Sequence, residues 1–144
     1  MSDSLAEFAY YWIFAVWIAY SLSTQAMPLP QPPVPPAIAI SGWVAAELAN
    51  FYAHFILSRT PANHDKRAVP ASRLFSLVCC PHYLCEIFSW LFFCLCSPFV
   101  STVVFASAGA AIMTGYALER HRKYTASDPS FASSGRKAIV PYIL

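Results

Sequence analysis

Charge is what this sequence has least of. Asp, Glu, Lys and Arg make up 11% of its 144 residues, against roughly 25% in soluble globular domains. The gaps are long: no charged side chain lies between Glu7 and Glu47, and Glu86 is the sole one across residues 74–118. A soluble protein of this size could not easily cover so much apolar surface. Glycine is scarce as well, and its four scattered copies exclude a Gly-rich phosphate loop. No serine stands in a triad-like setting, and no segment repeats. Asp3 and Glu7 occupy the region where a signal peptide requires basic residues. The five cysteines, Cys79, Cys80, Cys85, Cys94 and Cys96, lack the spacing of a zinc site and read as small buried hydrophobes, so no metal is expected. The net charge of +2 comes from two basic clusters and does not argue for a nucleic-acid partner.

What fills the gaps is apolar. A bilayer core ~30 Å thick needs about 20 apolar residues in a helix, and residues 8–27 and 37–57 each supply such a stretch. Between them stand Pro28, Pro30, Pro32, Pro33, Pro35 and Pro36. Prolines remove amide donors and restrict the residues before them, so this loop reads as extended polyproline. The third stretch, residues 74–118, would run to about 67 Å as one helix at ~1.5 Å per residue, twice what a bilayer accepts. Ser97-Pro98 is the natural corner of a hairpin. The expected fold is all-α: a polytopic membrane bundle of about four transmembrane helices, forming one domain over residues 1–144. Arg59, Lys66, Arg67 and Arg73 lie in the loop over residues 58–73, and Arg120, Arg122, Lys123, Arg136 and Lys137 in the tail after Leu118. Four spans put both on one face, cytosolic by the positive-inside rule. The Pro-rich loop has neither Lys nor Arg and goes to the lumenal side.

Two polar constellations interrupt the apolar runs. Cys80-Pro81-His82-Tyr83-Leu84-Cys85-Glu86 sets an imidazole, a phenol and a carboxyl close together. Such groups are costly at bilayer depth and mark interior sites or water-filled cavities. Pro81 suits the first turn of a helix. The break before it leaves amides that must line a cavity or be covered by protein. Glu47, Asn50 and His54 form a second stripe at i, i+3 and i+7; it reads equally as a site or as hydrogen-bonded glue between helices. Residues 120–123 read on composition alone as a basic anchor that meets anionic membrane lipid. A phenol with pKa ~10 can donate a proton to an enolate, and a nearby carboxylate and imidazole can orient an amide or a ribose. With no activated nucleophile, these groups suit a reduction with a bound dinucleotide better than hydrolysis.

Three ordered pieces carry a resemblance: Cys80-Pro-His-Tyr83-Leu-Cys-Glu86-Ile-Phe-Ser-Trp90, Glu119-Arg-His121-Arg122-Lys-Tyr124, and Arg136-Lys137-Ala-Ile-Val-Pro141-Tyr-Ile-Leu. With Asn50 and His54, and with Tyr11-Trp12 before the Pro-rich loop, they resemble the steroid 5-alpha-reductase superfamily and, within it, the trans-2-enoyl-CoA reductase branch. The resemblance implies NADPH-dependent reduction of the trans-2,3 double bond of a very-long-chain enoyl-CoA, the last step of fatty-acid elongation, in the endoplasmic reticulum membrane. Partners implied are that substrate, membrane lipid and other elongation enzymes. Catalytic roles would fall to Tyr83, as proton donor, and Glu86. The cofactor set would be Asn50, His54, His82 and Glu86 at the nicotinamide and ribose, with Arg120, His121, Arg122 and Tyr124 at the phosphates and adenine. Family members are usually about twice as long, so the chain reads as a C-terminal, cofactor-binding half, a fragment or truncated form. A steroid or polyprenol reductase of the same superfamily and a non-catalytic membrane subunit are the alternatives.

Overall fold

The computed structural model describes residues 2–63, 66–67, 70, 72–76 and 78–141, with the backbone alone at 2–7, 62–63 and 66–67. Helices dominate: α1 (Ser2–Thr24), α2 (Pro36–Arg59), α3 (Pro81–Cys96), α4 (Val100–Ser127) and the short α5 (Pro129–Ser133). A two-residue antiparallel ladder pairs β1 (Ala62–Asn63) with β2 (Lys66–Arg67), and a 3-10 turn covers Arg73–Phe75. The all-α expectation therefore holds. Among the described residues, α4 is the one helix long and apolar enough by itself to cross a membrane, while α3 is apolar but shorter, at 16 residues. Tyr, Trp and Ser in α1, and Glu47, Asn50 and His54 in α2, dilute the apolar character of helices that have the length.

Proline starts three of the helices. Pro36, Pro81 and Pro129 each occupy a first-turn position, where a missing amide costs nothing and φ is already helical. α1 ends differently, with Gln25 in the left-handed region at φ 56° and Ala26 N bonded to Ser21 O at 3.1 Å, a Schellman closure. The Pro-rich loop then docks on the corner between α3 and α4. Leu29 N reaches Pro98 O at 2.7 Å and Val100 N reaches Met27 O at 3.2 Å. Buried Thr102 pins that corner, its hydroxyl donating to the carbonyls of Ser97 (2.6 Å) and Phe99 (2.8 Å). Ser97-Pro98 is thus the corner read from the sequence.

Two boundaries of the apolar stretches shift in the structure. The third stretch begins at Leu74, but its helix begins at Pro81, where the sequence places a helix start: the 3-10 turn takes 73–75, and Cys79 N bonds to Lys137 O at 2.9 Å and Cys80 N to Ala138 O at 3.2 Å. These contacts cover the amides that the break before Pro81 sets free. Around them Cys79, Cys80, Ala117, Tyr124, Phe131, Ala138 and Ile139 form a core. The second difference is that α4 continues past Leu118 to Ser127, so residues 120–124 belong to a helix and not to a tail. At ~1.5 Å per residue its 28 residues reach about 42 Å, overshooting a ~30 Å bilayer core. Asp128 caps α5, accepting from Ser130 Oγ (2.6 Å), Ser130 N (2.8 Å) and Phe131 N (3.3 Å). The Ser130 hydroxyl and the Phe131 amide hold its carboxyl below the usual carboxylate range. Residues 142–144, the end of the third motif, lie outside the described residues.

α2 and α3 pack most closely of all the helix pairs, and Gly42 is why. A Cβ there would stand under 3.0 Å from three ring carbons of Phe92. Gly42→Leu is expected to destabilise the pair, since overpacking costs roughly 1–3 kcal/mol or more against the ~1 kcal/mol of helix propensity recovered. The readout is the thermal unfolding midpoint in detergent; a midpoint at or above that of the unsubstituted protein would refute this packing.

Candidate active site

The chain enters α3 from the pairing with residues 137–138, and that anchor sets the position of Tyr83. The phenol is half-buried and lines three cavities at once. The first, about 520 Å³, is walled by Tyr83, Tyr116, Glu119, Arg120, Lys123 and Tyr124. Another, about 330 Å³, lies over His54, Leu57, Ser58, His82, Tyr83 and Arg120. A third, about 440 Å³, runs between α1, α3 and α4, where Tyr10, Tyr11, Trp90, Phe105, Ile112 and Met113 give it an apolar wall beside Tyr83 and Glu86. A cationic space, an imidazole-lined space and an apolar space therefore meet at one residue, Tyr83.

Helix periodicity explains the cationic wall. Tyr116, Arg120 and Lys123 or Tyr124 follow i, i+4 and i+7 or i+8, one face of α4. Arg120 is half-buried and hydrogen-bonds Tyr124. Lys123 is held by Glu119 at 2.6 Å, with both side chains mostly exposed. An exposed i, i+4 pair is worth only ~0.3–0.5 kcal/mol, so an anionic ligand can draw Lys123 away.

The two histidines meet edge to face, with ring centroids 5.2 Å apart, and the His82 ring lies 4.1 Å from that of Tyr83. His82 is buried and His54 exposed. The second stripe divides between its two readings. Glu47 acts as glue, accepting a short hydrogen bond from buried Ser89 on α3. Asn50 does not: its Oδ1 is buried without a hydrogen-bond partner, which costs ~1–3 kcal/mol, and Asn50 lines none of the three cavities.

Not every sequence-derived residue arrives at the site. His121 donates from Nε2 to the Arg136 carbonyl at 2.9 Å and packs on Phe131 at 5.5 Å, so it braces the C-terminal segment. Arg122 is exposed and lines none of these cavities. Both miss the cavities because adjacent helical residues point about 100° apart. Tyr116, Lys123, Tyr10, Tyr11 and Trp90 line cavities without having been singled out as site residues; for Tyr116 and Lys123 the i, i+4, i+7 spacing from Arg120 was the available signal. The thiols of Cys79 and Cys80 are buried, as expected for small hydrophobes, but Cys96 is exposed. Among the described residues no three His, Cys, Asp or Glu side chains gather as metal ligands.

Comparison with known proteins identifies the family. Residues 5–144 match the family model described as 3-oxo-5-alpha-steroid 4-dehydrogenase. A Trypanosoma brucei brucei protein named as an enoyl-CoA reductase is 37% identical over 94% of the chain and 45% of its own length. A Caenorhabditis elegans protein named as a very-long-chain enoyl-CoA reductase is 34% identical over 94% of the chain and 46% of its own. A Dictyostelium discoideum very-long-chain enoyl-CoA reductase is 33% identical over 71% of the chain and 34% of its own. The chain thus spans a little under half the length of the first two relatives. With the family model covering nearly all of it, the chain belongs to the 3-oxo-5-alpha-steroid 4-dehydrogenase family, the steroid 5-alpha-reductase superfamily.

Proposed function

We propose that this chain carries the cofactor and proton-donor part of an NADPH-dependent reductase of very-long-chain trans-2-enoyl-CoA, embedded in the endoplasmic reticulum membrane. The observation that carries the reading is the meeting of three cavities at Tyr83. A charged nucleotide and a hydrocarbon chain can each approach the same hydroxyl from its own side. The relatives' names supply the substrate class, and the enolate that hydride addition at the β carbon would leave supplies the need for a proton donor at the α carbon.

The residues fit a reduced nicotinamide dinucleotide. When bound, such a group supplies the hydride that adds at the β carbon, and the double bond's electron pair moves toward the thioester carbonyl. Tyr83 holds the balancing proton at Oη for the α carbon and regains one from solvent afterwards. Glu86, beside Trp90, orients a hydroxyl. Arg120 and Lys123 take phosphate oxygens, and Tyr124 holds Arg120 in place. The apolar cavity excludes water from the reacting carbons.

Four membrane spans complete the reading. Large apolar side chains stand outward along α1, α2 and α4; Phe51, for example, is 72% exposed. Water would disfavour that surface and lipid would not. Arg59 on α2 and Arg120 on α4 lie at one end, while the Pro-rich loop docks at the other. On a Cys96→Ser background, cysteines placed at Gln31 and at Ser134 are expected to label from opposite sides of sealed vesicles, Ser134 from the cytosolic side. Labelling of both from one side would refute the topology. The activity itself is tested by incubating membranes holding this chain with trans-2-hexadecenoyl-CoA and NADPH. Matched loss of NADPH and gain of saturated acyl-CoA is expected.

A further inference from the structure

One wall of the apolar cavity has no side chain. Gly109, on α4, lines it together with Tyr10, Phe105 and Met113. Tyr116 marks the Tyr83 end of the same cavity, and Gly109 lies about 10 Å further along α4 at ~1.5 Å per residue. Beyond Gly109 the space closes on rings: Phe105 stacks on Tyr10 at 5.3 Å and meets Trp90 edge-on at 4.5 Å. A Cβ on Gly109 would stand 3.4 Å from Tyr10 Oη and 3.7 Å from Met113 Cε. Alanine just fits there; anything longer enters the cavity or displaces Tyr10. That ring is not free to yield, because its hydroxyl donates to the Phe105 carbonyl at 3.0 Å and ties α1 to α4. With that hydroxyl committed, this end of the cavity offers a ligand hydrocarbon contact.

The geometry points to Gly109 as the residue that sets how long an acyl chain the site accepts. This rests on the enoyl-CoA reading given above. With the reacting carbons at Tyr83, a short acyl chain ends before Gly109 and a long one must pass it toward the Trp90 and Phe105 floor. The missing side chain is the room it passes through.

The test is chain-length selectivity in the full 144-residue chain in membranes, measured as kcat/KM for trans-2-hexadecenoyl-CoA divided by that for crotonyl-CoA. In Gly109→Leu this ratio is expected to fall about tenfold or more, the discrimination that one or a few methylenes produce in an apolar pocket. Gly109→Ala should fall between it and the unsubstituted chain. Gly115→Leu is the control, since it makes the same glycine replacement on the same helix where a Cβ meets nothing within 4 Å, and its ratio should not move. A general loss of folding lowers both substrates together and leaves the ratio unchanged; an unchanged ratio in Gly109→Leu overturns the assignment. If the unsubstituted chain reduces neither substrate, the enoyl reductase reading fails by itself. Gly109 is then judged by calorimetric Kd for palmitoyl-CoA against butyryl-CoA. Selective loss of palmitoyl-CoA binding in Gly109→Leu supports the assignment, while equal change, or no binding by the unsubstituted chain, overturns it.

Discussion

Replacing Tyr83 by phenylalanine is expected to lower turnover by roughly a hundred- to ten-thousand-fold, the usual contribution of a positioned general acid, while NADPH affinity changes little. The reason is geometric. Tyr83 is the one residue common to the linings of the cationic, the imidazole-lined and the apolar cavity, and its ring packs on His82 at 4.1 Å. Phenylalanine keeps the ring and removes only the hydroxyl. The measurement is single-turnover reduction of trans-2-hexadecenoyl-CoA at saturating NADPH, beside fluorescence titration of the cofactor. Turnover within a few-fold of the unsubstituted protein would take Tyr83 out of the mechanism. A large loss of cofactor affinity with intact turnover at saturation would make it a binding residue instead.

The second large effect belongs to Arg120. Arg120→Gln is expected to weaken NADPH binding about ten- to a hundredfold, because hydrogen bonds to charged groups are worth ~1.5–3 kcal/mol and each ~1.4 kcal/mol is a factor of ten. Arg120 lines both the cationic and the imidazole-lined cavity and hydrogen-bonds Tyr124. Arg122→Gln removes an equal charge two residues on, about 200° around the helix, on an exposed side chain outside the cavities, and should change binding little. The contrast separates a site contact from the general attraction of a basic helix end. Equal losses in the two variants would return residues 120–123 to a membrane-surface anchor. An unchanged unfolding midpoint in Arg120→Gln is needed to exclude collapse of the Tyr124 core.

Pro81, Ser97-Pro98 and the Pro-rich loop were legible in the sequence because proline acts locally, through its own ring and its missing amide. What covers the break before Pro81 was not. The pairing of Cys79 and Cys80 with residues 137–138 is a contact between distant parts of the chain, which no local pattern announces. The cationic end of α4 was misplaced into a tail because its charges ended the apolar run, although a helix continues past the point where its composition turns polar. That one displaced boundary also accounts for His121 and Arg122: on a tail they could turn toward the phosphates, on a helix they cannot. Tyr10, Tyr11 and Trp90 look from the sequence like ordinary aromatic residues of an apolar span, and only the packing of α1 and α3 on α4 makes them cavity walls. The Glu47, Asn50 and His54 stripe was correctly read as one face, but spacing alone could not say that Glu47 would be satisfied by Ser89 while Asn50 Oδ1 would not.

On the proposed reading, the three cavities at Tyr83 bring a hydride source and an enoyl thioester to one proton donor. It is tested most directly by supplying membranes of this chain with trans-2-hexadecenoyl-CoA and NADPH deuterated at the transferable nicotinamide hydrogen, then locating the label by mass spectrometry. The expected product is saturated acyl-CoA with deuterium at the β carbon and a solvent-derived hydrogen at the α carbon, lost in Tyr83→Phe. Product with the label at the α carbon, or no product when binding of both NADPH and acyl-CoA has been demonstrated, would contradict it.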